Sequence, residues 1–120
     1  VLGYSYKQNT GDARETPVRK MTKELSEKGC RVFVLDPHID HSEFPDWIAP
    51  ISSLEELEEA EIIVIATAHD EFIDLDWRLA GEKIPNKIVF DGRRVLKPDT
   101  MTRAGWRYLA VGYPAGEGKK

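Results

Sequence analysis

Three cations stand where this chain could seat an anion. Lys7 and Arg14 bracket the loop Lys7-Gln-Asn-Thr10-Gly-Asp12-Ala-Arg14-Glu15-Thr16-Pro17, which runs into a helix start, and Arg93 follows Asp91-Gly92 just past a strand-like run. Lysine offers a mobile point charge, and arginine a rigid fork of donors suited to phosphate or carboxylate. A helix N-terminus adds free N–H groups and a partial positive charge. The competing reading is a solvated loop in which Arg14 pairs with Asp12 or Glu15, and a turn carrying two surface arginines, Arg93 and Arg94.

Other polar groups make weaker patterns. Asp36-Pro37-His38-Ile-Asp40-His41 has metal-ligand residue types, but no partner follows at ligand spacing, and a solvated loop is the favoured reading, with no metal expected. Asp36 ends a strand, where a dinucleotide-binding fold places its ribose-binding carboxylate, but the opening strand and its loop offer only Gly3 and then Gly11, and no Gly-x-Gly-x-x-Gly turn exists. His69 beside Asp70 could act as a general base; a hydrogen bond at a loop or helix start is the preferred reading. Cys30, next to Gly29 at a strand entry, reads as a buried structural thiol rather than a nucleophile.

Alternating strands and helices must position these groups. Strand patterns fall at 1–4, 31–35, 62–66, 87–90 and 107–111. A helix is expected over 17–28, with Pro17 at its first position and Gly29 as its stop. Residues 37–52, with three prolines, read as a loop, and Ser53-Leu-Glu-Glu56 as a capping box opening a helix to about Ala60. Short helices are expected over 74–81 and from Asp99 to Ala104, and a frayed tail over 115–120. The fold class is therefore α/β: a Rossmann-like, doubly wound parallel sheet of about five strands with helices on both faces. An order of 3-2-1-4-5 makes the strands before Lys7 and before Arg93 neighbours, and their loops then converge on one crevice at the carboxyl ends of the strands.

Composition sets outer bounds. The 120 residues, 41% hydrophobic and 32% charged, describe one globular domain. The net charge of −4 disfavours nucleic acid or an anionic membrane as the main partner. One cysteine precludes an internal disulfide and fits a reducing, cytoplasmic setting. No apolar run reaches the roughly 18 residues of a membrane span. Val1 sits inside the first strand pattern, which fits methionine removal or a piece cut from a longer protein.

Taken in order, the motifs resemble the C-terminal, UDP-sugar-binding domain of the UDP-glucose/GDP-mannose dehydrogenases. The carriers are Leu2-Gly3 with Tyr6-Lys7, Thr10-Gly-Asp12-Ala-Arg14-Glu-Thr-Pro17, Asp36-Pro37, Ala66-Thr67 with His69-Asp70-Glu-Phe72, and Asp91-Gly-Arg93-Arg94-Val95. The resemblance covers 1–114, with Tyr6 where the family has Phe and Thr16 where it has Ser. It implies a parent enzyme that oxidises a sugar C6 hydroxyl to a carboxylate with two NAD per sugar. It also implies partners: an N-terminal Rossmann domain, a central helical domain with the catalytic cysteine, and a homodimeric parent. Carried onto this chain, Tyr6 and Lys7 contact the nucleotide-sugar, Arg93 binds its diphosphate or sugar, and Arg14 reaches towards NAD. Cys30 lies outside the family's catalytic motif, so no catalytic residue is expected here and the chain alone should not turn over. The alternative is a free-standing nucleotide-binding or regulatory module without catalysis.

Overall fold

Short runs of β-branched residues build the sheet. The computed structural model describes residues 1–57 and 59–112, so the tail assigned to 115–120 lies outside the described residues. The strands are β1 (Val32–Leu35), β2 (Ile48–Ile51), β3 (Ile63–Ile65), β4 (Ile88–Asp91) and β5 (Arg107–Ala110). They form two parallel ladders, β1-β2 and β3-β4-β5. The opening residues join them. Leu2 bridges Leu35 on one side and Ile65 on the other, both in parallel sense. Leu2 N donates to Val64 O at 2.7 Å, and Gly3 N to Leu35 O at 2.9 Å.

Counting that opening segment first, the spatial order is 3-2-1-4-5-6, the doubly wound arrangement. This corrects the expected order at one point. The stretch 37–52, read as a loop, contains β2, so the neighbour of the opening segment is β3 and not the strand that precedes Arg93. The run at 1–4 is itself reduced to a bridge at Leu2.

Helices cover both faces, each over its own apolar cluster. Helix α1 (Pro17–Glu27) turns Val18, Met21 and Leu25 onto Val32, Val34 and Ile48. On the other face α2 (Asp70–Ile73), α3 (Trp77–Ala80) and α4 (Pro98–Arg103) lie over Ile63, Ile65, Val89 and Tyr108. There Trp77 and Trp106 meet edge to face with ring centroids 5.2 Å apart. Trp106 Nε1 donates to Trp77 O, and Trp77 Nε1 to Phe72 O. The Ser53 capping box forms, but among the described residues only the single 3-10 turn Leu54–Glu56 follows it. The helix expected over 74–81 is α3 alone, with a 3-10 turn at Gly81–Lys83 behind it. Cys30, expected to be buried, is exposed: the chain leaves α1 at Gly29 and enters the sheet only at Val32.

Thr16 caps α1, its hydroxyl accepting from Val18 N. Thr16→Ala is expected to lower stability by about 1 kcal/mol, measured by urea denaturation, with an unchanged m-value.

Candidate functional site

The loop that carries Tyr6 and Lys7 is held from beneath by buried polar groups. Asp36, at the end of β1, is 3% exposed. Its Oδ2 accepts from Tyr4 N at 2.7 Å, Ser5 N at 2.9 Å and His69 Nε2 at 3.0 Å, while Oδ1 accepts from His38 N at 2.9 Å. Burial pushes the Asp36 carboxyl up. The His69 hydrogen bond and the amides of Tyr4, Ser5 and His38 outweigh it and hold the pKa at about 2. This aspartate is saturated by its own chain, so the ribose-binding position it occupies in other folds is spent on the loop.

His69 is fully buried at the start of α2. Its Nδ1 accepts from Asn9 N at 2.7 Å, which assigns the proton to Nε2. That nitrogen lies 3.0 Å from both Asp36 Oδ2 and Ser5 Oγ. The hydroxyl of Ser5 donates onward to Lys7 O, and that of Thr67 to Ser5 O. A Ser–His–Asp set is present, but it cannot act as a nucleophilic triad. Serine and aspartate share one ring nitrogen, and the other nitrogen's lone pair is committed to an amide. The hydrogen-bonding reading of His69 therefore holds.

The anion-seat residues lie above this base. Tyr6 is 49% exposed, and Lys7 is exposed with its carbonyl accepting from Ser5 and Thr10. Arg14, at the far end of the loop, makes a two-pronged contact with Asp12, Nε to Oδ1 at 3.1 Å and Nη2 to Oδ2 at 3.2 Å. The hydrogen bonds from Arg14 hold the Asp12 carboxyl below the usual range. A cleft of about 500 Å³ opens beside this limb, lined by Tyr4, Asp12, Arg14, Arg19 and Glu43.

Arg93 stands apart. Its amide donates to Asp91 Oδ1 at 3.1 Å and its side chain is exposed. Asp91 is fully buried, with Oδ2 accepting from Leu96 N and Tyr108 OH, so it shapes the turn. Arg94 takes the left-handed conformation, φ 55°, and donates to Val111 O. Gly92 serves close approach rather than freedom of φ: its amide donates to Ile65 O at 3.0 Å, and a Cβ would lie 2.8 Å from that oxygen. The Arg93 turn therefore reaches the Lys7 loop through the end of β3, one strand further away than expected. Among the described residues no hydrogen bond or ion pair joins the Arg93 side chain to residues 5–15.

The expected metal-like run disperses. Asp40 caps a 3-10 turn, and His41 is exposed. A different trio, His38, His69 and Glu71, brings ligand atoms within 4.8 Å of one another. His38 Nε2 is already 2.9 Å from Glu71 Oε2, and neither nitrogen of His69 is free. Asn9 and Asp36 are the positioning groups that spacing alone could not reveal. The nearest signal was the left-handed tolerance of asparagine, used here at φ 57°.

Comparison with known proteins agrees with this architecture. Residues 1–98 match the UDP binding domain of the UDP-glucose/GDP-mannose dehydrogenase family, and the chain belongs to that family. It is 34% identical over 116 residues to a UDP-N-acetyl-D-mannosamine dehydrogenase of Methanococcus maripaludis, covering 93% of this chain and 26% of that protein. It is 32% identical over 120 residues to a UDP-glucose 6-dehydrogenase of Rickettsia conorii, covering 93% and 27%. The crystal structure of an NDP-N-acetyl-D-galactosaminuronic acid dehydrogenase from Methanosarcina mazei superposes with a TM-score of 0.81 at 26% identity, covering 99% of this chain and 25% of that one. The chain thus spans about a quarter of the length of the relatives it matches. No helix among the described residues is long and apolar enough to cross a membrane.

Proposed function

We propose that this chain is the nucleotide-sugar-binding domain of an NAD-dependent UDP-sugar 6-dehydrogenase of the cytoplasm. The observation that carries the reading is the loop 5–10. Buried Asp36, His69 and Thr67 fix its backbone, while the Tyr6 and Lys7 side chains are left exposed at the carboxyl end of the sheet. Binding groups on a pre-ordered backbone lose little entropy when they engage. Lys7 supplies a positive charge for the diphosphate, Tyr6 a ring with a polar tip, and Arg93 a second cation from the turn after β4, on the far side of β3.

NAD, held mainly by the parent's other domains, would supply the hydride acceptor. Arg14 would reach towards it after leaving Asp12, and no Gly-x-Gly-x-x-Gly turn exists here to hold a dinucleotide. The Rossmann and central helical domains of the parent, and its homodimer, supply the remaining walls of the cleft. Alone, this chain binds without turnover, because His69 has no lone pair for a substrate and Cys30 lies at the end of α1 rather than at the cleft.

Isothermal titration of the chain with UDP-glucose, UDP-N-acetylmannosamine and UDP tests this. The expected result is binding near the millimolar range that Lys7→Ala and Arg93→Ala each weaken about tenfold, as for one charge-assisted contact. Equal binding by the chain and both variants would overturn the assignment.

A further inference from the structure

Two adjacent arginines follow the end of β4, and the structure gives them different tasks. Arg94, in the left-handed conformation, sends its Nη1 to Val111 O at 3.0 Å, just past β5. A Cβ on Gly112 would lie 3.4 Å from the same nitrogen, so the guanidinium rests against that stretch of backbone. Arg93 has no such tie. Among the described residues its side chain is exposed and makes no hydrogen bond or ion pair. Arg94 is a strap, and Arg93 is the cation left for a ligand.

The turn that carries both is held from below. Buried Asp91 takes Arg93 N at 3.1 Å on Oδ1, and Leu96 N at 2.8 Å and Tyr108 OH at 2.9 Å on Oδ2. The two amides belong to the turn itself, and a carboxylate held by them alone can swing with the turn as a unit. The hydroxyl comes from β5, 17 residues on, and ties the carboxylate to the sheet. The ladder explains its reach. Tyr108 is the register partner of Val89, and Asp91, two residues further along β4, shares that face. The Lys7 loop is built in the same way. Asp36 accepts the amides of Tyr4 and Ser5, and His69, from another element, completes its set of donors. Each exposed cation therefore rides on backbone fixed by a buried carboxylate, and each carboxylate is anchored by a side chain from elsewhere in the fold.

We propose that Tyr108 is a positioning residue for the anion contact of Arg93. Its hydroxyl fixes the Asp91 carboxylate, and through it the direction in which the turn presents Arg93 to a diphosphate. The inference rests on the reading of Arg93 as a ligand of that diphosphate. Without the hydroxyl the turn populates other orientations, and affinity falls with the fraction of time that Arg93 is in place. The Lys7 contact, on its own clamp, is untouched.

A double-mutant cycle on the chain, with UDP as the probe in NMR titrations, tests this. Tyr108→Phe keeps the ring and removes only the hydroxyl. It is expected to raise the dissociation constant for UDP about threefold to fivefold while Arg93 is present. With Arg93→Ala already in place, the same change is expected to alter binding less than about 1.5-fold. With Lys7→Ala it should keep its whole effect. A general loss of structure would weaken binding in all three backgrounds alike, so the pattern separates positioning from stability.

The unsubstituted chain supplies a second readout. A ligand that prefers the ordered turn orders it in return. Saturating UDP is therefore expected to slow hydrogen exchange at the Leu96 amide, which shares Asp91 Oδ2 with Tyr108, at least about twofold. Unchanged affinity in Tyr108→Phe overturns the proposal. So does equal weakening in the Arg93→Ala background, or a Leu96 amide indifferent to UDP, and these results leave the nucleotide-sugar reading standing. If UDP does not bind, or binds equally to Arg93→Ala, the reading of Arg93 falls and this inference falls with it.

Discussion

Replacing Asp36 with asparagine is expected to lower stability by about 3 kcal/mol and the melting midpoint by about 10 °C. The carboxylate accepts from three backbone amides and from His69, using both oxygens. An amide of the same shape keeps one oxygen and turns an NH₂ group towards N–H donors on the other side. Either the Tyr4, Ser5 and His69 donors or the His38 amide must then face a donor. A buried donor without an acceptor costs about 1–3 kcal/mol, and the lost charge adds to that. Differential scanning calorimetry gives the readout, and a shift under about 3 °C would contradict this account of the clamp.

The same residue sets an acid limb. Its folded pKa of about 2 lies below the ordinary 3.8, so ionised Asp36 stabilises the native state above pH 4. That contribution is lost as the pH falls through the folded value, because the unfolded chain takes up the proton first. Between pH 5 and pH 2 the chain is expected to lose about 2 kcal/mol through this group. Asp36→Asn, with nothing to titrate there, should show a correspondingly flatter profile in urea melts taken across that range.

What could be seen in the sequence divides by the range of the interaction. Ile63–Ile65, Val32–Leu35 and the apolar run 88–90 announce themselves because both faces of a central strand are covered and each of these positions favours a β-branched or large apolar side chain. Ile48–Ile51 was hidden by Pro50, which removes an amide from the ladder. Among the described residues that strand pairs only with β1 and so lies at an edge, where a missing donor is tolerated. The missed strand then displaced the expected neighbour of the Lys7 loop. Thr16-Pro17 and Gly29 bounded α1 correctly because caps act within a few residues. The clamp was out of reach for the opposite reason. Asp36, His69 and Asn9 are brought together across dozens of residues by the sheet, and no local pattern records which donor meets which acceptor.

Gly3→Ala is expected to be more damaging still, with little or no folded protein at 25 °C. Gly3 has φ 102°, a backbone conformation that a side chain makes costly. A Cβ there would lie 2.4 Å from Thr67 Cβ and 2.7 Å from Thr67 N, so the obstruction includes backbone. Thr67 cannot retreat freely: it is fully buried, its amide donates to Leu2 O and its hydroxyl to Ser5 O. The strain falls on the segment that, among the described residues, joins the two ladders, since Gly3 N donates to Leu35 O while Ala66 N donates to Leu2 O. Relief by moving residues 2–4 would part β1 from β3 and lift the Tyr6–Lys7 loop from its base. Far-ultraviolet circular dichroism and amide exchange should show loss of protection at Leu35 and Ala66 together. A variant that folds with both amides protected would show that the junction has room this geometry denies it.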